Sequence, residues 1–307
     1  MKNNFYWNVY KNLEKELVEM LNLIHIDDKQ LEIYSIKIAE LILRTAVEIE
    51  SISKTLYFQN GGTKSDDINL FFDTDCIELL ESKWVLSKKI VQVSAPNVDF
   101  RLPENMILTP LKKANKRGSS SSDWQKAYQA IKHNRETSLP KANLKHLVRA
   151  LAALFVLNLY YRDNSYWLDK DSSGTKFDSS LGSSLFSIKL HVRDGISADI
   201  VYSKNADFDE CIYILKPTDD TRTAVQQELK VLNEKTAERT KTNIIDQLSK
   251  QLKGIQISHE EMPSTIRALA EKIKIENMQH VARENGLVLK KVFENLKYEA
   301  ILNKNEY

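Results

Sequence analysis

The stretch WQKAYQAIKHNRE, residues 124–136, holds His133 next to Lys132 and two positions before Arg135. An imidazole can move a proton to or from an oxygen, and nearby cations can hold charge on a phosphate, so the set suits acid–base work on a phosphodiester. At 100° per residue Tyr128, Lys132 and Arg135 share one helical stripe, and His133 lies one step round on the side of Ala130. The structural alternative is a histidine satisfied inside a helical bundle. Around this stretch, between Leu111 and Ala150, ten Lys and Arg stand against Asp123 and Glu136 alone, in a chain whose formal net charge is +2. Such a run fits phosphate-backbone binding through Lys112, Lys113, Lys116, Arg117, Lys126, Lys132 and Lys145, with Trp124 and Tyr128 as stacking surfaces. Its alternative is a solvated face with no partner.

Other chemistries have less support. The six His are scattered with no i,i+4 pair, and the Asp-x-Asp pairs in FDTDC and DFDE have no further ligands, so no metal site and no cofactor is expected. Asp199 with Glu228 and Lys230 follows the acidic, acidic, Lys order of restriction-type nucleases, but ELK falls in a helix-patterned segment. No Gly-rich phosphate loop and no Gly-x-Ser-x-Gly nucleophile turn is present. Ala282 and Gly286 loosely suggest a helix-turn-helix, and Gly286 as a helix C-cap explains them as well. Cys76 and Cys211 form no ligand pattern and are expected to be buried, reduced thiols.

These residues need a scaffold, and the apolar pattern supplies a mainly helical one. A long core helix is expected over 28–58, a shorter one over 68–86, a third from Trp124 to about Ser138 with Asp123 as its cap, and a fourth over 141–161. In the first, Glu40, Arg44 and Glu48 fall at i,i+4 positions and can form an ionic ladder. Residues 88–93 can form a strand, and 96–123 should be mostly loop. The pattern changes near 162: a small antiparallel β segment is expected, with a hairpin about Asp194-Gly195 and a third strand over 210–217. Charged helices follow to about Leu302, with a break at Gly286. The domains expected are therefore 1–163, 164–218 and 219–307. The longest apolar run, 147–161, is too short to span a bilayer, and the N-terminus lacks a signal-peptide pattern, so a cytoplasmic protein without a membrane partner is expected.

Together, ELILRTAVEIESISKTLY (40–57), DWQKAYQAIKHNR (123–135) and LVRALAALFVLNLYY (147–161) resemble the HEPN superfamily, over about residues 28–161. The resemblance implies an N-terminal HEPN-like four-helix bundle, a homodimer, and the metal-independent RNase activity of bacterial stress and defence systems. Active members place an Arg four to six residues before the His. Here those positions hold Tyr128, Ala127 and Lys126, so only His133 carries over. The expected function is then an RNA- or nucleotide-binding protein, RNA in preference to DNA, extending to a metal-independent endoribonuclease. His133 would transfer the proton, and Lys132, Arg135 and Arg44 would hold the phosphate. The alternative is a non-catalytic dimeric interaction protein in which Lys132 and His133 pack against the Glu40, Arg44, Glu48 ladder as a structural network.

Overall fold

A computed structural model describes residues 4–65, 69–193, 202, 204–253 and 262–306. The chain is mainly helical and divides into two compact units. One comprises Met1–Leu168, Ser173–Lys216 and Glu299–Tyr307, and the other Asp169–Ser172 and Pro217–Tyr298.

The first unit contains α1 (Phe5–Leu21), α2 (Ile36–Gln59), α3 (Glu78–Trp84), α4 (Pro103–Met106), α5 (Asp123–His133), α6 (Arg135–Ser138) and α7 (Leu144–Arg162). Every residue of α7 from Ala150 to Tyr160 is buried, as a helix that is apolar all round requires. It is long and apolar enough to cross a membrane by composition, yet it forms the centre of this unit, with α1, α2 and α5 packed on it. Aromatic rings complete the core. Tyr10 and Phe186 flank Phe155, and Trp84 stacks on Tyr160 at 4.6 Å between centroids.

Several boundaries differ from the sequence expectation for identifiable reasons. Ser35 caps α2 by accepting from the Ile38 amide, so residues 30–32 form a separate 3-10 turn before it. The helix stops where Gly61 takes φ +90° and Gly62 passes the Tyr57 ring so closely that a Cβ there would overlap it. The expected second helix opens as a π-helical turn, Phe72–Ile77, before α3. Ser122, not Asp123, caps α5, with Gln125 completing a capping box. Asn134 then breaks that helix at φ −149° and ψ 85°, and its side chain caps α6.

Short strands surround the helices: β1 (Ile26–Asp27), β2 (Val91–Val93), β3 (Val98–Asp99), β4 (Ile107–Leu108), β5 (Tyr166–Asp169), β6 (Phe186–Ile188), β7 (Leu190–His191), β8 (Tyr213–Pro217) and β9 (Tyr298–Leu302). β1 pairs with β3, β2 lies between β4 and β6 in an antiparallel sheet, and a third sheet runs in the order β5, β9, β8, β7. The strand expected over 210–217 is β8, and its neighbour β7 is parallel to it. The Asp194-Gly195 turn and Asp199 lie outside the described residues.

The second unit contains two long helices, α8 (Asp219–Leu252) and α9 (Met262–Phe293). They pack on each other, and Asn285 donates to the Thr236 hydroxyl at 3.1 Å. Gly286 is interior to α9, which excludes both the C-cap and the helix-turn-helix turn. The segment expected to end in a helix ends instead in β9.

Candidate nucleic-acid interface

The apolar face of α5 is Trp124, Ala127, Tyr128 and Ile131, an i, i+3, i+4, i+7 set that is buried throughout. Trp124 is 1% exposed, and its indole donates to the Pro110 carbonyl at 2.9 Å, so it is a core anchor and offers no stacking surface. Tyr128 is also buried in the core, with its hydroxyl donating to Glu50 Oε1 at 3.0 Å. Lys132 lies over that ring and donates to the same hydroxyl at 3.3 Å. Burial first, and then the Glu50 carboxylate, raise the Tyr128 phenol far above its ordinary range.

The basic run separates onto two sides of α5. On one side a cleft of about 380 Å³ gathers Lys112, Lys113, Lys126 and Arg149, with Asp123 and Glu104. The three lysines are exposed and make no ion pair among the described residues, whereas Arg149 pairs with Asp123. Lys113 takes φ +64°, in a tight turn where the Lys116 amide donates to its carbonyl, so Lys112 and Lys113 are both turned outward.

On the other side a cleft of about 510 Å³ is lined by Glu50, Lys54, Phe71, Asp73, Arg117 and Lys132, among others. Arg117 Nε donates to both carboxylate oxygens of the buried Asp73, at 2.8 and 2.9 Å. Its guanidinium carbon lies 3.4 Å from the centre of the Phe71 ring. Beside it Lys64 donates to Asp75 at 2.6 Å, a bond that holds the Asp75 carboxyl below its usual range. Asp73 belongs to the FDTDC segment, where a π-helical turn brings it to Arg117. The Asp-x-Asp spacing drew attention to the segment, but nothing local in sequence pointed to Glu50, Phe71 or Lys54.

Other predicted residues disperse. Lys116 pairs with Glu78 and Lys145 with Glu32, both at 3.8 Å. His133 and Arg135 are exposed on either side of the Asn134 break, so the expected stripe of Tyr128, Lys132 and Arg135 on one continuous helix does not form. Among the described residues His133 makes no hydrogen bond and no contact with Arg44. Arg44 donates instead to Glu16 on α1 at 2.6 Å, and Glu16 also receives Lys37. Glu50, on a different face of α2, is the carboxylate that meets α5. The expected packing of Lys132 and His133 on the Glu40, Arg44, Glu48 ladder is thus replaced by the Lys132, Tyr128, Glu50 chain.

His191 is fully buried, and its Nδ1 lies 2.6 Å from the Tyr202 hydroxyl. Its Nε2 accepts from the Asn205 amide at 3.2 Å, which assigns the ring proton to Nδ1. Both ring nitrogens are therefore engaged within the fold. Among the described residues no three His, Cys, Asp or Glu side chains converge. Comparison with family models, with curated proteins and with solved structures finds no match.

Proposed function

We propose that the face formed by Lys112, Lys113 and Lys126, with Arg149 at its back, binds the phosphate backbone of single-stranded RNA. The observation that carries the reading is the convergence of three exposed lysines, without ion pairs among the described residues, on one cleft. A run of phosphates releases counterions to such a surface, and this release drives binding. The HEPN resemblance favours RNA over DNA and a bacterial defence or stress role. On this reading His133, exposed at the C-terminal end of α5, with Arg135 just beyond the Asn134 break, is where a bound strand would meet a proton-transfer group. The test is binding of a mixed single-stranded RNA across a salt series in the presence of a chelator. Salt-sensitive binding that is weakened in the Lys112→Gln, Lys113→Gln, Lys126→Gln variant supports the reading, and binding unchanged in that variant overturns it. Chelator-resistant cleavage abolished by His133→Ala would extend the function to metal-independent ribonuclease action, and cleavage unaffected by that substitution removes His133 from it.

One observation favours the dimeric interaction reading as a second property. Ile36, Val47 and Phe58 are 61%, 54% and 47% exposed, and their 11-residue spacing sets them on one line of α2. Glu40 and Lys54 lie on the same line, seven residues to either side of Val47. An antiparallel second copy would therefore set Ile36 against Phe58 about Val47, a self-complementary two-fold contact. Sedimentation of Val47→Glu checks it: the natural protein should be dimeric and the variant monomeric.

A further inference from the structure

The larger cleft, on the far side of α5 from the lysine face, has the parts of a nucleotide site. Arg117 is held there by two contacts that leave its terminal nitrogens unused, although the Asp73 carboxylate offsets part of its charge. Nε takes both oxygens of Asp73, and the guanidinium plane rests on Phe71. The two terminal nitrogens make no hydrogen bond among the described residues, so a planar fork of donors is fixed in place and left unfilled. That fork matches the geometry of phosphate oxygens. Lys132, oriented by the Tyr128 hydroxyl, stands at the same cleft and adds a second cation.

Opposite charge is present too, and it discriminates. Glu50 gives Oε1 to the Tyr128 hydroxyl, and Oε2 has no hydrogen bond among the described residues. A carboxylate oxygen in a phosphate-binding cleft repels a second anion but accepts from hydroxyls, and a ribose offers such donors. The outer plane of the Arg117 guanidinium, backed by Phe71, is a surface on which a base can stack. At about 510 Å³ the cleft lies within the range of small-molecule sites.

We propose that this cleft binds a ribonucleoside monophosphate unit, with its phosphate on the Arg117 fork and Lys132 and its ribose 2′-hydroxyl on Glu50. The site shares with the proposed function the expectation of a nucleotide ligand but uses a different cleft and different residues. The unit can be a free nucleotide or one nucleotide of a strand, and the two sources share this chemistry.

Calorimetric titration of the full chain with AMP, dAMP, adenosine and inorganic phosphate tests the assignment. AMP should bind at least about tenfold more tightly than adenosine or inorganic phosphate, and severalfold more tightly than dAMP. Arg117→Lys keeps the charge and removes the fork, and should weaken AMP at least about tenfold with the melting temperature preserved. Glu50→Gln keeps an acceptor for Tyr128 and should bring AMP down to the affinity of dAMP. The Lys112→Gln, Lys113→Gln, Lys126→Gln variant should retain AMP binding whether or not it has lost RNA, which separates this site from the lysine face. In the natural protein, AMP that a bound RNA strand cannot displace identifies the free nucleotide as the source; displacement by RNA identifies a nucleotide of a strand. Absence of AMP binding at millimolar ligand, equal binding of AMP and inorganic phosphate, or unchanged AMP affinity in both Arg117→Lys and Glu50→Gln overturns the proposal.

Discussion

Two buried polar groups show how placement sets the chemistry of single residues. Tyr128 keeps its proton because burial and the Glu50 carboxylate both oppose the phenolate, so it serves as donor to Glu50 and acceptor from Lys132 throughout the ordinary pH range. Lys89 is the opposite case. It is 1% exposed and donates to the Cys211 carbonyl at 3.1 Å, and burial brings its amine down to about 8. Below that pH the fold holds a charged amine that the unfolded chain solvates at less cost, a penalty on the order of 3 kcal/mol. Between about 8 and 10.5 the unfolded state binds more protons than the folded one, so this contribution makes stability rise with pH. Lys89→Met should therefore be more stable than the natural protein at pH 7, and the gap should narrow as pH climbs toward 10.5. The Cys211 carbonyl keeps Asn303 as donor in the variant. Denaturant melts of both proteins at pH 7, 8.5 and 10 check this, and a gap that is constant or widens with pH contradicts it.

At the scale of elements, α2 works as a divider. One side pairs with α1 through Glu16, which receives Lys37 and Arg44, and another meets α5 through Glu50. The hydrogen bond from Lys37, followed by those with Arg44, lowers the Glu16 carboxyl below its usual range. A depressed carboxylate contributes stability above its unfolded value and loses it as pH falls through the folded one. Because both cations are half exposed, Glu16→Gln should cost less than about 1 kcal/mol at pH 7. The cost should vanish as pH falls below the ordinary carboxylate range, and melts at pH 7 and pH 3 of variant and natural protein measure it. The same element limits the proposed catalytic role: α2 commits Arg44 to α1, so a phosphate beside His133 would have to find its cation in Arg135 rather than in Arg44.

For the molecule as a whole, the proposed RNA binding would depend on how much of the basic run remains unneutralised. Against single-stranded RNA each neutralised phosphate contributes a slope of about 0.7 in log affinity against log salt, so replacing Lys112, Lys113 and Lys126 by Gln should flatten the slope by about 2. A salt titration of both proteins reads that directly, and an unchanged slope places the strand elsewhere. The helical character of the chain, the buried α7, the burial of both cysteines and the strand at 213–217 were legible in sequence because apolar periodicity and composition are local signals. Asn134 and Gly286 misled because local propensity is weak: the one breaks a helix that was expected to continue, and the other is carried inside a helix that was expected to stop. Charge misled for a different reason. Counted along the chain, the run from 111 to 150 faces two carboxylates, but folding adds Asp73, Glu78, Glu32 and Glu50 from segments 38 to 113 residues away from their partners. Coulomb interaction depends on distance in space, so only the tertiary structure could decide which cations are neutralised, which remain at the lysine face, and that Arg117 presents its fork to a cleft.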